Sequence, residues 1–507
     1  MSIKERMRAQ KNKPVEAPTE FKGYKLTDEQ LHTIECIISG RDTKANAPAG
    51  SGKTFTLEAA ASQMNRQLGL YLAFNKAIAD EAGRKFGNNT DCRTGHSLAF
   101  RGVGYKYKDR LGKITGMMIA NSGNMGDLSA YPTKSNKGYV VLDTIRRFCY
   151  SDDSEFKFHH APVIKGPYTD IEVKQMREEV YPIAANVWEK IRDERGSLPI
   201  THDHYLKMWA LSNPQISKGY ILFDEAQDAN AVILGVVKRQ KNCQKIYVGD
   251  KFQQIYGWRG AVNAMDSIET DHNTFITQSF RFGQGVADMA NKILGCYMHP
   301  SEAPPAILGF QEKESIVSRE AIDDPNVLIC RTNTGVITNV FKYLEMGKAV
   351  YVQGGVTTMI NMLRGADDLM NGKRTYVPDL ALFSNWAEVV ECSETESGAD
   401  LRTLVSMIKD HGIPKLLEAL NCTHKSHFGA DITITTAHKS KGLEWSKVKL
   451  YNDFQSPATN DEGEIIPLQQ GEINVLYVAA TRALDVLDIS SCSACHDEVL
   501  FSSKNSF

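Results

Sequence analysis

The sequence predicts an α/β protein built from two parallel-sheet domains, each carrying a mainly helical insertion. Three observations predict it. Short apolar runs alternate with helix-like segments from about Leu26 to Phe100. The rhythm returns in GYILFDEAQD, KIYVGD and NTFITQSFR, and a second series starts near Ile293. Strands that alternate with helices form a parallel sheet with helices on its faces.

The elements follow in order. LTDEQLHTIECIISG reads as a helix with Thr27 as N-cap, Gln30 at the capping-box position and Gly40 as its stop. A short strand ending at Asn46, a Gly-rich turn and a helix from Lys53 come next. GLYLAF is then a strand, NKAIADEAGRKF a helix and DCRTG a short strand. Between Arg101 and about His204 scattered Gly, Ser and Tyr precede more helical text, so this stretch reads as an inserted subdomain. NVLICRTN, a helix through FKYLEMG and AVYVQGG open the second series. Polar helical text then leads to a last strand–helix–strand run from DITITTAHKSKG to LDVLDIS. The expected partition is 1–100 and 205–290 for the first domain, with 101–204 inserted. The second domain takes 291–360 and 430–507, with 361–429 inserted.

At about 150 residues per domain, 507 residues suffice for several cores. Apolar residues make up 42% of the chain and charged ones 24%, and no stretch approaches the ~18 apolar residues of a membrane span. MSIKERMRAQKNK has no apolar run behind it and so does not read as an export signal. Ten Cys are too dilute for a disulfide scaffold, and a reducing bacterial or viral-host cytoplasm is expected. With 59 Lys and Arg against 61 Asp and Glu there is no general basic coat. Polynucleotide binding would therefore use a local groove.

Ala47-Pro48-Ala49-Gly50-Ser51-Gly52-Lys53-Thr54 lies between strand and helix, where a phosphate-binding loop must lie. Gly50 and Gly52 let the backbone wrap so that N–H groups, with those of Ala49 and Ser51, point at phosphate oxygens. The helix opening at Lys53 turns its positive end to the same anion. Lys53 offers a point charge to the β- and γ-phosphates of ATP, and the Thr54 hydroxyl a ligand to Mg²⁺. The strict pattern starts with Gly; Ala47 stands there and is expected to be tolerated.

Tyr220–Phe223 is an apolar run ending in Asp224-Glu225-Ala226-Gln227-Asp228. A buried parallel strand delivers its C-terminal residues to the ligand crevice. Asp224 there can hold Mg²⁺ and Glu225 can deprotonate an attacking water. Hydrolysis of a nucleoside triphosphate is the expected reaction. In GDKFQQIYGWRGA, Tyr256 and Trp258 beside Arg259 supply π-faces and a cation for unpaired bases, each stack contributing about 1–3 kcal/mol.

With these motifs in this order, the chain resembles the superfamily 1 DNA helicases of the UvrD/Rep type. Within them it is most similar to the F-box DNA helicase branch, though no F-box is evident. The resemblance runs from about Leu26 to Ile489 and implies two RecA-like P-loop domains that close on ATP·Mg²⁺. It implies that Gln30 reads the adenine edge, that Gln254 senses the γ-phosphate, and that Arg281 and Arg482 neutralise it, Arg482 as the arginine finger. Gly442 and Glu444 in TTAHKSKGLEW would face the nucleotide. Phe74, Asn75, Lys76, Thr94, His96, Tyr256, Trp258, Arg259 and His438 would face single-stranded DNA. The family usually has an aromatic residue where this chain has Gly95. Travel 3′→5′ along single strands is implied, with unwinding of duplex or stripping of bound protein. The short insertion before DITITTAHKSKG leaves a bare motor or a surface for a partner such as a nuclease or recombinase. A nucleotide-gated DNA-binding switch that moves nothing needs the same ATP site and is the alternative. Cys492-Ser493-Ala494-Cys495-His496 reads as structural thiols, and His159-His160 and His202-Asp203-His204 as loop-like clusters with no carboxylate spacing that suggests a metal cage.

Overall fold

A computed structural model describes residues 17–123, 134–163, 169–255, 265–297, 304–375, 377, 380, 383–393, 399–459, 465–466, 468–497 and 499–500. They divide into two compact units: one holds the described residues up to 47 and from 52 to 276, the other residues 48–51 and the described residues from 277 on.

The first unit is organised by six strands: β1 (Thr43–Asn46), β2 (Gly69–Ala73), β3 (Thr90–Thr94), β4 (Tyr220–Phe223), β5 (Gln244–Gly249) and β6 (His272–Phe275). Their order is β3-β2-β4-β5-β1-β6, and every pairing is parallel. Alternate residues of one strand feed opposite cores. Tyr71, Leu222, Ile246 and Val248 join Ile34, Ile37, Leu57 and Ala60 on one face. Leu70, Leu72, Ile221, Phe223 and Tyr247 join Leu234 and Val237 on the other. That period of two with both faces covered is why the strands read as unbroken apolar runs.

Helix Asp28–Ile38 starts as its sequence signalled: the Gln30 N–H donates to Thr27 Oγ1 (3.2 Å) and the Thr27 N–H to Gln30 Oε1 (3.1 Å). Between β3 and β4 lie the helices Gly95–Gly102, Gly116–Asn121, Lys134–Tyr150, Asp170–Arg192 and His202–Leu211. Val141, Ile145, Phe148, Val180, Ala184, Trp188 and Ile191 give this insertion a core of its own.

Two of its histidines, His160 and His204, are buried, and burial pushes both imidazoles down to about 4. The backbone N–H of Thr201 donates to His204 Nδ1 (3.3 Å), so His204 fills the third position of a capping box. An unfolded histidine titrates near 6.5, so between pH 6.5 and 4 the unfolded chain binds more protons and stability rises with pH. At pH 5 each histidine should have removed about 2 kcal/mol relative to neutral pH. His204→Gln retains the cap, because Gln suits that position. Its urea midpoint should therefore fall less steeply from pH 7 to pH 5 than that of the parent chain; parallel curves would refute the assignment.

The second sheet has β7 (Ile316–Ser318), β8 (Val327–Cys330), β9 (Val350–Val352), β10 (Ile432–Thr436), β11 (Trp445–Leu450) and β12 (Ala483–Asp488). Their order is β9-β10-β8-β11-β12-β7, again all parallel. Helices Thr357–Met370, Trp386–Ser393, Ala399–His411 and Ile413–Asn421 intervene between β9 and β10. Unlike the first insertion they share their core with the sheet: Leu363, Leu369, Leu404 and Leu416 cluster with Leu328, Val350 and Ile434. Among the described residues no helix is long and apolar enough to cross a membrane.

Candidate nucleotide site and its surroundings

The phosphate loop leaves β1 and enters helix Lys53–Gln63. Gly50 and Gly52 sit at φ 75° and 76°, the left-handed region that favours glycine. A Cβ on Gly50 would also stand 2.4 Å from Arg281 Cβ. No side chain caps the helix at Gly52, whereas Thr27, Asn75, Thr94 and Asn230 cap other helices of the first unit. An N-terminus that spares its amides beside a lysine fits a phosphate group. Lys53 is buried and donates from Nζ to the Ala47 carbonyl (3.1 Å).

Three donors converge on Asp224 at the end of β4. Thr54 Oγ1 donates to Asp224 Oδ2 (2.8 Å), as does the Tyr71 hydroxyl (2.6 Å), and the Glu225 N–H donates to Oδ1 (2.9 Å). A hydroxyl and a carboxylate so close are the donor set a hard divalent cation such as Mg²⁺ takes. Burial first, then the neighbouring Glu225 charge, pushes the Asp224 carboxyl up; the Tyr71 and Thr54 hydrogen bonds and the Lys53 charge oppose this. Burial, with Asp224 beside it, pushes the Tyr71 phenol far above its ordinary range. Glu225 adopts φ 51°, an unfavourable backbone for a residue with a Cβ, and such strain clusters at functional sites. Its carboxylate accepts from Gln227 Nε2 (2.6 Å), while Gln227 Oε1 accepts the Asp250 N–H (3.1 Å). Because a backbone N–H can only donate, it fixes which way the Gln227 amide faces.

Gln30, fully buried, donates from Nε2 to Thr56 Oγ1 (3.2 Å) and accepts Thr27 N–H at Oε1. Each end of the amide retains one more hydrogen-bonding valence, enough for an adenine edge.

In the second unit Arg281 and Glu444 lie 2.8 Å apart, Nε to Oε2. The Nε–H is not aimed at the carboxylate and makes no hydrogen bond, whereas Nη1 donates to the Thr481 carbonyl (3.3 Å). Arg482 is buried. Its Nε donates to Val478 O (2.8 Å), Nη1 to Leu443 O (3.3 Å) and Nη2 to Thr481 Oγ1 (3.0 Å). The loop tip Pro48–Ser51 also packs in this unit: Ser279 Oγ donates to Ala49 O (2.9 Å) and the Phe280 N–H to Gly50 O (2.8 Å).

Residues 202–273 match the model of the UvrD/REP helicase N-terminal domain, and residues 337–494 that of the UvrD-like helicase C-terminal domain. Both domain types of the UvrD-like helicases are thus matched within this one chain. It is 30% identical to F-box DNA helicase 1 of Gallus gallus, over 92% of this chain and 49% of that protein. It is 32% identical to F-box DNA helicase protein 1 of Schizosaccharomyces pombe, over 92% of this chain and 58% of that one. A probable DNA helicase II homolog of Mycoplasma pneumoniae is 37% identical over 56% of each chain. The chain thus spans about half the length of the F-box relatives.

Two departures of this UvrD-like chain from the usual pattern have local causes. Ala47 is absent from the described non-glycine residues with positive φ, so its backbone does not require glycine. Its N–H is used in the sheet, donating to Gly249 O (2.9 Å). Gly95 is buried, and a Cβ there would lie 2.5 Å from Ile233 Cδ1. An aromatic side chain therefore cannot stand at Gly95 without displacing Ile233.

Of the residues expected to face DNA, Phe74, Asn75 and Lys76 are exposed just beyond β2. Asn75 also caps the next helix, accepting the Ile78 N–H (2.9 Å). Thr94 caps helix Gly95–Gly102, and His96 lies 3.5 Å from the Asp203 carboxylate. His438 follows β10 in the short helix Ala437–Ser440, Gly442 has φ 82°, and Gln254 follows the turn Lys251–Gln253. Tyr256, Trp258 and Arg259 lie outside the described residues.

Sequence reasoning missed Tyr71 and Gln227 as partners of the two acidic residues. A tyrosine inside the otherwise aliphatic strand GLYLA was the available signal, since a buried phenol needs a hydrogen-bond partner. It also missed that Asp153, His159 and His160 gather, their ligand atoms within 4.8 Å of one another. His160 Nδ1 accepts the Lys157 N–H (2.8 Å), so in the neutral ring Nε2 carries the proton and lies against Ser151 Oγ (2.9 Å). A neutral imidazole has one lone pair to give, and here it is used. Cys492 and Cys495 are buried with their sulfurs 3.8 Å apart.

Proposed function

We infer that this chain is an ATP-dependent DNA helicase motor that moves 3′→5′ along single-stranded DNA, unwinding duplex or stripping bound protein. The observation that carries the reading is the convergence of Thr54 on Asp224 beside an uncapped helix N-terminus and the strained Glu225. Thr54 and Asp224 would hold Mg²⁺, which when bound would neutralise phosphate charge. Lys53 and the loop amides from Ala49 to Gly52 hold the phosphates, Gln30 the adenine, and Gly442 and Glu444 also serve the nucleotide. Glu225 takes the proton of the attacking water. Gln254 senses the terminal phosphate. Arg281 exchanges Glu444, and Arg482 its carbonyl partners, for phosphate oxygens. Phe74, Asn75, Lys76, Thr94, His96 and His438 contact DNA, together with the segment carrying Tyr256, Trp258 and Arg259.

Single-stranded DNA carrying streptavidin at one end tests the reading. ATP-dependent displacement from the 5′ end, and not from the 3′ end, is expected. Displacement from neither end, with hydrolysis still stimulated by DNA, would support the nucleotide-gated switch instead.

A further inference from the structure

Asp224 lies at the end of β4 with both carboxylate oxygens engaged. Two hydroxyls donate to the same oxygen, Oδ2: that of Thr54, from the phosphate loop, and that of Tyr71, from the neighbouring strand β2. Their origins differ in a way that matters. The Thr54 hydroxyl comes from the loop side, in the first turn of helix Lys53–Gln63. Tyr71 belongs to the sheet: it pairs in parallel register with Leu222, two residues before Asp224, and is fully buried. Its ring packs on Phe86 with centroids 4.8 Å apart. A ring held by its strand and by a neighbouring ring has little freedom, whereas the terminal torsion of an aspartate is broad and roughly two-fold. The 2.6 Å contact to a carboxylate is in the range of strong charge-assisted hydrogen bonds.

We propose that Tyr71 is a positioning residue for the metal site, a prop from the sheet that holds the Asp224 carboxylate in one orientation so that Asp224 and Thr54 serve the same divalent cation. This rests on the reading of Asp224 and Thr54 as the Mg²⁺ side of the ATP site. Tyr71 touches neither nucleotide nor metal and acts through Asp224.

The test is a Mg²⁺ titration of fluorescent ADP binding by the full chain, with Mn²⁺ binding followed by electron paramagnetic resonance. Tyr71→Phe keeps the ring against Phe86 and removes only the hydroxyl. It should raise the half-saturating Mg²⁺ about tenfold, the size of one charge-assisted hydrogen bond. ADP affinity without metal should stay within about twofold. Phe86→Leu loosens the ring without touching the bond, and should shift Mg²⁺ the same way by a smaller factor; it also serves if Tyr71→Phe does not fold. Asp224→Asn separates the two layers. If Asp224→Asn loses the Mg²⁺ enhancement while Tyr71→Phe titrates like the parent chain, the prop is refuted and the metal site stands. If Asp224→Asn itself titrates like the parent chain, the site reading fails.

Discussion

Lys53→Ala is expected to lower ATP hydrolysis by about 10²–10³ while affinity for single-stranded DNA stays within a few fold. The ammonium is buried at the start of a helix whose N-terminus is uncapped, where a bound phosphate would meet it. Preorganised charge of this kind contributes through the transition state, and removing one such donor costs on the order of 10²–10³ in turnover. The fold should survive. Ala is the best helix former, and the lost bond to the Ala47 carbonyl costs about 1 kcal/mol. Steady-state turnover at saturating DNA, beside fluorescence anisotropy with a labelled oligonucleotide, measures both halves. A variant that still hydrolyses ATP at the parental rate would contradict the loop assignment.

Under the proposed arginine-finger role, Arg482→Ala should be the more damaging change, lowering turnover by about 10³–10⁵ with nucleotide affinity much less affected. The structure adds a second consequence. The guanidinium ties the end of helix Gln470–Ala480, through Val478 O, to the turn at Leu443 that precedes Glu444. Truncation leaves buried acceptors without this donor, at about 1–3 kcal/mol for each one left unsatisfied. The melting midpoint should therefore drop as well. Pre-steady-state hydrolysis by protein shown to be folded separates the two effects. Turnover within tenfold of the parent chain in such protein would remove Arg482 from the chemistry.

Much of the fold could be read from the residues because the same physics set both. The unbroken apolar strands β2 and β4 lie in a sheet covered on both faces, and that burial is why they lack alternation. Thr27 and Gln30 announced a helix start three residues apart, and both reciprocal bonds are present. Lys53, Thr54 and Asp224 were legible because phosphate loops demand short-range spacing and strand-end carboxylates. Gln227 and Tyr71 were not, because their partnerships depend on strand order. Tyr71 meets Asp224, 153 positions away, only once β2 is placed beside β4. The grouping of His159 and His160 with Asp153 was hidden for a simpler reason. Asp153 lies six residues before His159, and chain reversal through a short 3-10 turn brings them together.

The shared core of the second unit carries a consequence for engineering. Excising the block between β9 and β10 would strip Leu363, Leu404 and Leu416 from the cluster that holds Leu328 and Ile434, baring one side of a parallel sheet to water. A minimised version of this protein therefore has a lower size limit there: the four helices can be resurfaced or relooped, but a deletion must bring its own replacement lining.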